Sequence, residues 1–280
     1  MQTKPIALVF GAGSGALSLL PMMQAQYDLR AILDNDPQKW GSEIQGIPVC
    51  APQTLLEIEH DKILIASGHG VSEIVAQLLA LGVPYAHIDA DLVYAAQKPR
   101  VLFLEKLAAL MIEEGTQGAV AEAGVFRGEF AREINRVFPA KTLYLFDTFA
   151  GFDARDVSID RAHAYSQREG AQFRETSEEV VLSRMPHPEK CVLRRGYFPD
   201  TTQGLEAQYC FVSLDMDLYQ PTRAGLEYFL PRMEKNGVIL LHDYFSDEYI
   251  GVKQAVQDYE KEHGQLRLFP IGDLWSIGIQ

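Results

Sequence analysis

The sequence predicts an α/β protein in two parts: a small Rossmann-like domain followed by a seven-stranded, mostly parallel sheet that ends in an antiparallel hairpin. Three observations predict it. Short apolar runs alternate with longer helical patterns along the whole chain, the arrangement that gives parallel sheets. Most of those runs end in glycine or aspartate, as strands do where they meet a turn. The 280 residues are 47% hydrophobic and 22% charged, sufficient for the core of one large or two modest domains.

The first strand is Ile6–Phe10, followed by a glycine turn and a helix over Ala16–Gln26. A second strand, Leu29–Leu33, ends at Asp34. A passage rich in Pro and Gly leads to a helix near Gln53–Glu59. Strand Lys62–Ala66 then runs through Ser67-Gly68-His69-Gly70 into helix Val71–Leu81, and Tyr85–Ile88 closes this block. The next helical pattern, Lys98–Glu114, places Leu102, Leu107, Leu110 and Met111 at apolar positions, and the boundary falls near residue 97. Residues 1–97 and 98–280 are therefore the expected domains.

The second block begins with strand Ala119–Ala123, helix Gly128–Val137 and strand Leu143–Phe146. A polar stretch, Asp153–Glu189, has little strand character. Strands Cys191–Leu193 and Tyr209–Leu214, helix Pro221–Met233, strand Val238–Leu241 and helix Val252–His263 follow. Leu266–Pro270 and Leu274–Gln280 read as the closing hairpin, with an antiparallel strand expected at the sheet edge.

The net charge of −13 argues against a nucleic-acid backbone or an anionic membrane as the main partner. Three cysteines, Cys50, Cys191 and Cys210, show no metal-ligand spacing, which predicts a reduced, cytoplasmic protein. No apolar run approaches the roughly 18 residues of a membrane span. The apolar N-terminus stops at a glycine turn and reads as a strand rather than a signal peptide.

Ligands of open α/β sheets bind outside the carboxyl ends of the strands. Glu122 and Gly124 stand at the end of one strand and Asp147 at the end of the next, twenty-three positions after Gly124. That is the place for an acid holding ribose hydroxyls. The turn Gly124-Val125-Phe126-Arg127-Gly128 has Phe126 where a dinucleotide turn needs its second glycine, so it is a poor pyrophosphate cradle. S-adenosylmethionine has no phosphates and fits better, with Glu122 at its methionine end and Asp147 at its ribose. Further on, Asp215 and Asp217 follow one strand and His242-Asp243 the strand expected beside it. Asp215, Asp217, His242 and Asp243 could surround a divalent cation that lowers the pKa of an acceptor hydroxyl, with an aspartate taking its proton. Each acid could instead cap a helix.

Residues from about 100 to 280 resemble the macrocin O-methyltransferase (TylF-type) family. The segments that carry the resemblance are Glu122–Gly128, Phe146–Phe152, Arg195–Thr201, Leu214–Tyr219, His242–Tyr244 and Gly251–Val256. The resemblance implies the class I methyltransferase sheet and transfer of a methyl group to a hydroxyl, often on a deoxysugar, with magnesium. It implies cofactor contacts at Glu122, Gly124, Val125 and Gly128, at Asp147, Thr148 and Phe149, and at Gly196 and Tyr197 near the adenine. It implies metal ligands at Asp215 and Asp243, to which the residues themselves add His242, and Asp215 or Asp217 beside the reacting hydroxyl. The family pattern has two aspartates where this chain has His242-Asp243, and a glycine where it has Met216. Histidine favours softer ions than magnesium, so another divalent cation is an equal expectation. Asp153–Glu189 falls where the family places a lid over substrate.

In the first block, Gly11-Ala12-Gly13-Ser14-Gly15-Ala16 follows a strand and opens a helix, and Asp34 comes twenty-three positions after Gly11. Gly11, Gly13, Gly15 and Asp34 are the candidate nucleotide contacts. This block resembles the N-terminal domain of PglD-type sugar acyltransferases, through Gly11–Gly15, Ile32–Pro37, Trp40-Gly41 and Gly46–Val49. The resemblance implies a nucleotide-sugar site.

The expectation is thus a methyltransferase acting on a sugar or glycosylated small molecule, in a homo-oligomer. Two other readings stay open. One is a non-catalytic nucleotide- or sugar-binding protein. The other is an NAD-dependent nucleotide-sugar oxidoreductase, for which no Tyr-x-x-x-Lys-type pair is present.

Overall fold

In the computed structural model, which describes residues 4–67, 71–166 and 173–280, the chain divides into two compact units, Met1–Lys98 and Pro99–Gln280. The turn residues Gly68, His69 and Gly70 lie outside the described residues.

The first unit holds β1 (Ile6–Phe10), α1 (Ser14–Gln26), β2 (Asp28–Leu33), β3 (Glu43–Ile44), β4 (Ile47–Cys50), β5 (Lys62–Ile65), α2 (Val71–Ala80) and β6 (Ile88–Asp89). Its sheet order is β3-β4-β2-β1-β5-β6, with every pairing parallel except the β3–β4 hairpin. The apolar run Ala7–Phe10 is fully buried in the middle of that sheet, as expected of a central parallel strand. Two local expectations need correction. The passage after Asp34 contains the β3–β4 hairpin, turned by Gln45-Gly46 with both residues at positive φ. The helix placed at Gln53–Glu59 is a short 3₁₀ turn, Pro52–Leu56, and Tyr85–His87 is another before the two residues of β6.

The long helix α3 (Asp91–Glu113) begins seven residues ahead of the expected start at Lys98. Pro99 lies inside it without ending it. The second unit continues with β7 (Ala119–Ala123), α4 (Glu129–Val137), β8 (Leu143–Asp147), α5 (Ala154–Ala162), α6 (Glu178–Arg184), β9 (Cys191–Arg195), β10 (Tyr209–Leu214), α7 (Tyr219–Phe229), β11 (Met233–Leu241), α8 (Ile250–His263), β12 (Leu268–Pro270) and β13 (Ile277–Ile279). Strand β11 starts where the helix after Pro221 was expected to end; α7 stops at Phe229 and a 3₁₀ turn over Leu230–Arg232 closes it.

The order of this second sheet is β12-β13-β11-β10-β7-β8-β9. Strand β13 pairs antiparallel with both β11 and β12, so the antiparallel strand is next to the edge and β12 is outermost. Side chains alternate between two cores. Ala121, Ala123, Val212, Leu214, Ile239 and Leu241 face one, and Val120, Leu145, Phe211, Val238 and Leu240 face the other. A sheet buried on both faces needs apolar residues at every position, which is why these strands read as continuous runs. The polar stretch before β9 carries two helices; Asp153 caps α5 and Ser177 caps α6 through backbone amides. No helix among the described residues is long and apolar enough to cross a membrane.

Candidate functional site

The carboxyl ends of the central strands of the second sheet are held level by backbone hydrogen bonds that carry each ladder one step past its strand. Gly124 N–H donates to Phe146 O, Asp215 N–H to Ala123 O, His242 N–H to Leu214 O and Gly196 N–H to Asp147 O. His242, Asp215, Gly124, Asp147 and Gly196 are thereby lined up along one edge, where open α/β sheets bind ligands.

Glycine is obligatory at position 124. Its φ is +85°, and a Cβ there would lie 1.8 Å from the carbonyl oxygen of Asp215. Gly128, at φ +78°, opens α4, and a Cβ there would press on Met185 and Val181 at 3.0–3.1 Å. Four non-glycine residues at these strand ends also hold positive φ: Phe126, Phe149, Asp217 and Asp243. Each such conformation costs on the order of 1–3 kcal/mol, and strain of this kind gathers where ligands bind.

Asp147 organises the first turn. Its Oδ2 accepts from Val125 N–H at 2.7 Å and Phe126 N–H at 2.9 Å, and its Oδ1 accepts from Phe149 N–H at 2.7 Å. A carboxylate offers about four lone-pair positions, so capacity for a ribose hydroxyl remains. Val125 and Phe149 are buried in the core and face the site through backbone alone. Thr148 Oγ1 donates to Gly151 O and accepts from Ala150 N–H, so it shapes the second turn. The segment at 173–177 lies against both turns. Phe173 packs edge-on to Phe126 and Phe152, Arg127 pairs with Glu175, and Thr176 Oγ1 donates to Phe126 O.

Glu122 is 1% exposed and its Oε2 has no hydrogen-bond partner among the described residues. Burial pushes its carboxyl well above the ordinary carboxylate range, against the opposing pull of Arg100. A buried acid with an unpaired oxygen beside an obligatory glycine is a fit for the charged end of the expected cofactor.

The second group of residues forms one network. His242 Nδ1 lies 3.1 Å from Asp215 Oδ1 and 2.9 Å from Asp243 Oδ2. Burial alone would lower the imidazole, but the two carboxylates outweigh it and push its pKa up to about 10. Asp215 is driven below the usual range by His242 and by Arg100, against a large desolvation. Asp217 is pushed well up, first by burial and then by Asp243 and Asp215, with which it competes for charge. Asp215, His242 and Asp243 each offer one ligand atom, all within 4.8 Å of one another. Two carboxylates and an imidazole fit a divalent cation, and suit manganese or zinc better than magnesium.

Arg100 escaped the sequence reading. It stands on α3, its guanidinium 3.9 Å over the Phe130 ring, donating to Ser213 Oγ at 3.1 Å and Asp215 Oδ2 at 3.0 Å. No motif marks it, because its contacts reach more than a hundred residues along the chain. Two buried acids of α5 escaped as well. Tyr197 donates to Asp156 at 2.9 Å with Arg155 over its ring at 3.6 Å, and Tyr219 N–H donates to Asp160 at 3.1 Å. Burial pushes both carboxyls up to about 6. Tyr197, expected near adenine, is thus tied to the helix that follows the second turn.

In the first unit, Gly11 has φ +110° and a Cβ would meet Ser67 N at 3.0 Å, whereas among the described residues nothing comes within 4 Å of a Cβ at Gly13, and Gly15 falls inside α1. Asp34 Oδ2 accepts from Ala12 N–H at 2.7 Å and pairs with Lys39 at 3.1 Å.

A seven-stranded sheet of this order, with a glycine turn and a strand-end acid cluster on one edge, is the architecture expected from the resemblance to the methyltransferase family. Residues 95–271 match the model of the macrocin-O-methyltransferase (TylF) family, and the chain belongs to that family. Residues 3–88 match a model described as C2185-like, N-terminal; the likeness to sugar acyltransferases is not what this match describes. The chain is 27% identical over 191 residues to the 8-demethyl-8-(2,3-dimethoxy-α-L-rhamnosyl)-tetracenomycin-C 4′-O-methyltransferase of Streptomyces olivaceus, across 63% of this chain and 70% of that enzyme. Among solved structures it resembles the O-methyltransferase NovP, with a TM-score of 0.53 and 22% identity over 65% of this chain and 79% of that one. It also resembles CalS11, a calicheamicin methyltransferase, at 0.52 and 20% over 76% and 86%. These two likenesses establish the fold.

Proposed function

We propose that the chain transfers the methyl group of S-adenosylmethionine to a hydroxyl of a sugar or of a glycosylated small molecule. The observation that carries the reading is the close packing of Gly124 on the backbone of Asp215, which leaves no room for a side chain at 124 and sets the cofactor turn directly beside the acid cluster. A cofactor bound at that turn lies next to the acids, and the transfer gains from proximity and alignment. The sugar acceptor follows from the relative that methylates a rhamnosyl group.

Glu122 and the amides around Gly124 hold the methionine end, Asp147 the ribose, and Gly196 and Tyr197 border the adenine. Asp215, kept ionised by Arg100 and His242, accepts a hydrogen bond from the acceptor hydroxyl and orients its oxygen. Asp217, held above the usual carboxylate range by burial and by Asp243 and Asp215, stands beside that group. A divalent cation held by Asp215, His242 and Asp243 would replace the His242 proton and would supply Lewis-acid lowering of the hydroxyl pKa. In the first unit, Gly11, Gly13, Gly15 and Asp34 form the proposed contact with a nucleotide-linked sugar, and the room left at Gly13 among the described residues supports it.

The test is a methyl-transfer assay against nucleotide-linked and glycosidic deoxysugars, comparing wild type with Asp215→Asn. The reading expects at least a hundredfold loss of turnover with S-adenosylhomocysteine affinity within threefold of wild type. Unchanged turnover in Asp215→Asn would remove the acid cluster from the reaction.

A further inference from the structure

Two buried side-chain atoms close to Ser213 have no hydrogen-bond partner among the described residues: Nε of Arg100 and Oε2 of Glu122. Ser213 links them. Its Oγ accepts from Arg100 at 3.1 Å, it stands opposite Glu122 in the β10–β7 register, and its hydroxyl favours the ionised Glu122 carboxyl. The guanidinium is already fixed. One face lies on Phe130, and one terminal nitrogen is shared between Ser213 and Asp215. Its side chain is 12% exposed, and Glu122 is 1% exposed. A buried donor and a buried acceptor left unpaired each carry a desolvation penalty that a bound partner removes. Arg100 and Glu122 lie near enough to attract each other, yet among the described residues these two atoms remain unbonded.

A ligand bearing a carboxylate and an ammonium on the same carbon satisfies both atoms at once. We propose that Arg100 and Glu122 together clamp an α-amino-carboxylate, Arg100 Nε–H donating to the carboxylate and Glu122 Oε2 accepting from the ammonium. This rests on the S-adenosylmethionine reading and deepens it. The first turn of α3 past Pro99 becomes part of the cofactor site, and Arg100 bridges the cofactor's amino-acid end to Asp215. Charge-assisted hydrogen bonds of this kind are about twice as strong as neutral ones, and removing one partner exposes the other's desolvation.

The experiment is calorimetric titration of the full-length protein with S-adenosylhomocysteine and with 5′-methylthioadenosine, which keeps the adenosine and sulfur but lacks the amino-acid end. Arg100→Met is expected to weaken S-adenosylhomocysteine by about 10- to 100-fold and to leave 5′-methylthioadenosine within threefold, with Glu122→Gln behaving alike. Arg100→Lys, which keeps the charge, is expected to recover part of the loss. If Arg100→Met discriminates the two ligands as wild type does, or weakens both equally, the clamp is wrong. Equal weakening in Arg100→Lys and Glu122→Gln would likewise assign both residues to structure. Failure of wild type to bind either ligand would overturn the cofactor reading itself, a separate outcome.

Discussion

In the first unit Gly11 and Asp34 stand at the same spacing as Gly124 and Asp147 in the second, and the local geometry repeats. Each glycine has positive φ and donates its N–H to the neighbouring strand: Gly11 to Leu33 O, Gly124 to Phe146 O. Each acid reaches back to the turn that precedes it, Asp34 to Ala12 N–H and Asp147 to Val125 and Phe126 N–H. The differences lie around that shared device. Asp34 is closed by Lys39, and its backbone oxygen accepts from Trp40, whereas among the described residues no cation pairs with Asp147. On the side of β1 away from β2, strand β5 runs into Ala66-Ser67, whereas on the corresponding side of β7 strand β10 runs into Asp215 and β11, beyond it, into His242-Asp243. A strand–glycine–helix–strand–acid unit is thus a generic nucleoside-shaped turn, and the chemistry comes from the neighbouring strand ends.

The three glycines sharpen that comparison most. Gly124→Ala is expected to destabilise by about 3 kcal/mol, because a methyl group would enter the Asp215 carbonyl at a positive φ. Gly11→Ala should cost roughly half as much, since Ser67 stands farther away, and Gly13→Ala should fall within about 0.5 kcal/mol. Denaturant midpoints at constant m-value measure all three. Equal costs at Gly11 and Gly124 would mean that the close approach to Asp215 is not what distinguishes the second unit.

A smaller effect separates the units by pH. Asp160 titrates near 6 in the fold against an ordinary value near 3.8, so the folded state binds its proton more tightly. Its ionisation is therefore a cost that is absent below about pH 3.8, grows as pH rises, and is complete above about pH 6. Asp160→Asn keeps an acceptor for Tyr219 N–H and should gain stability relative to wild type at pH 7.5 but not at pH 4. Melting temperatures across that range test it; a constant offset between the two proteins would contradict the burial argument.

Much of this was legible in the chain. The central strands of both sheets were legible because a strand buried on both faces is an unbroken apolar run, and their ends showed because glycine and aspartate follow them; the short strands β3 and β4 at one edge of the first sheet lack such a run and did not show. The joining of Asp215 with His242 and Asp243 followed from adjacency of parallel strands. Arg100 was not legible, since an arginine on a helical pattern ordinarily faces water and only the tertiary fold turns it onto Ser213. Asp156 and Asp160 were hidden for a related reason: a polar stretch gives no sign of which acids are buried. The order of the closing hairpin was equally beyond reach, because either of two short strands could have joined β11.

The central claim is that the second unit, and not the first, holds the adenosine cofactor. Titration of the full-length protein with S-adenosylhomocysteine, repeated with Asp147→Ala and Asp34→Ala, tests it most directly. The account predicts micromolar binding to wild type and to Asp34→Ala, and a loss of at least tenfold in Asp147→Ala. Binding that survives in Asp147→Ala and disappears in Asp34→Ala would place the cofactor in the first unit and contradict it.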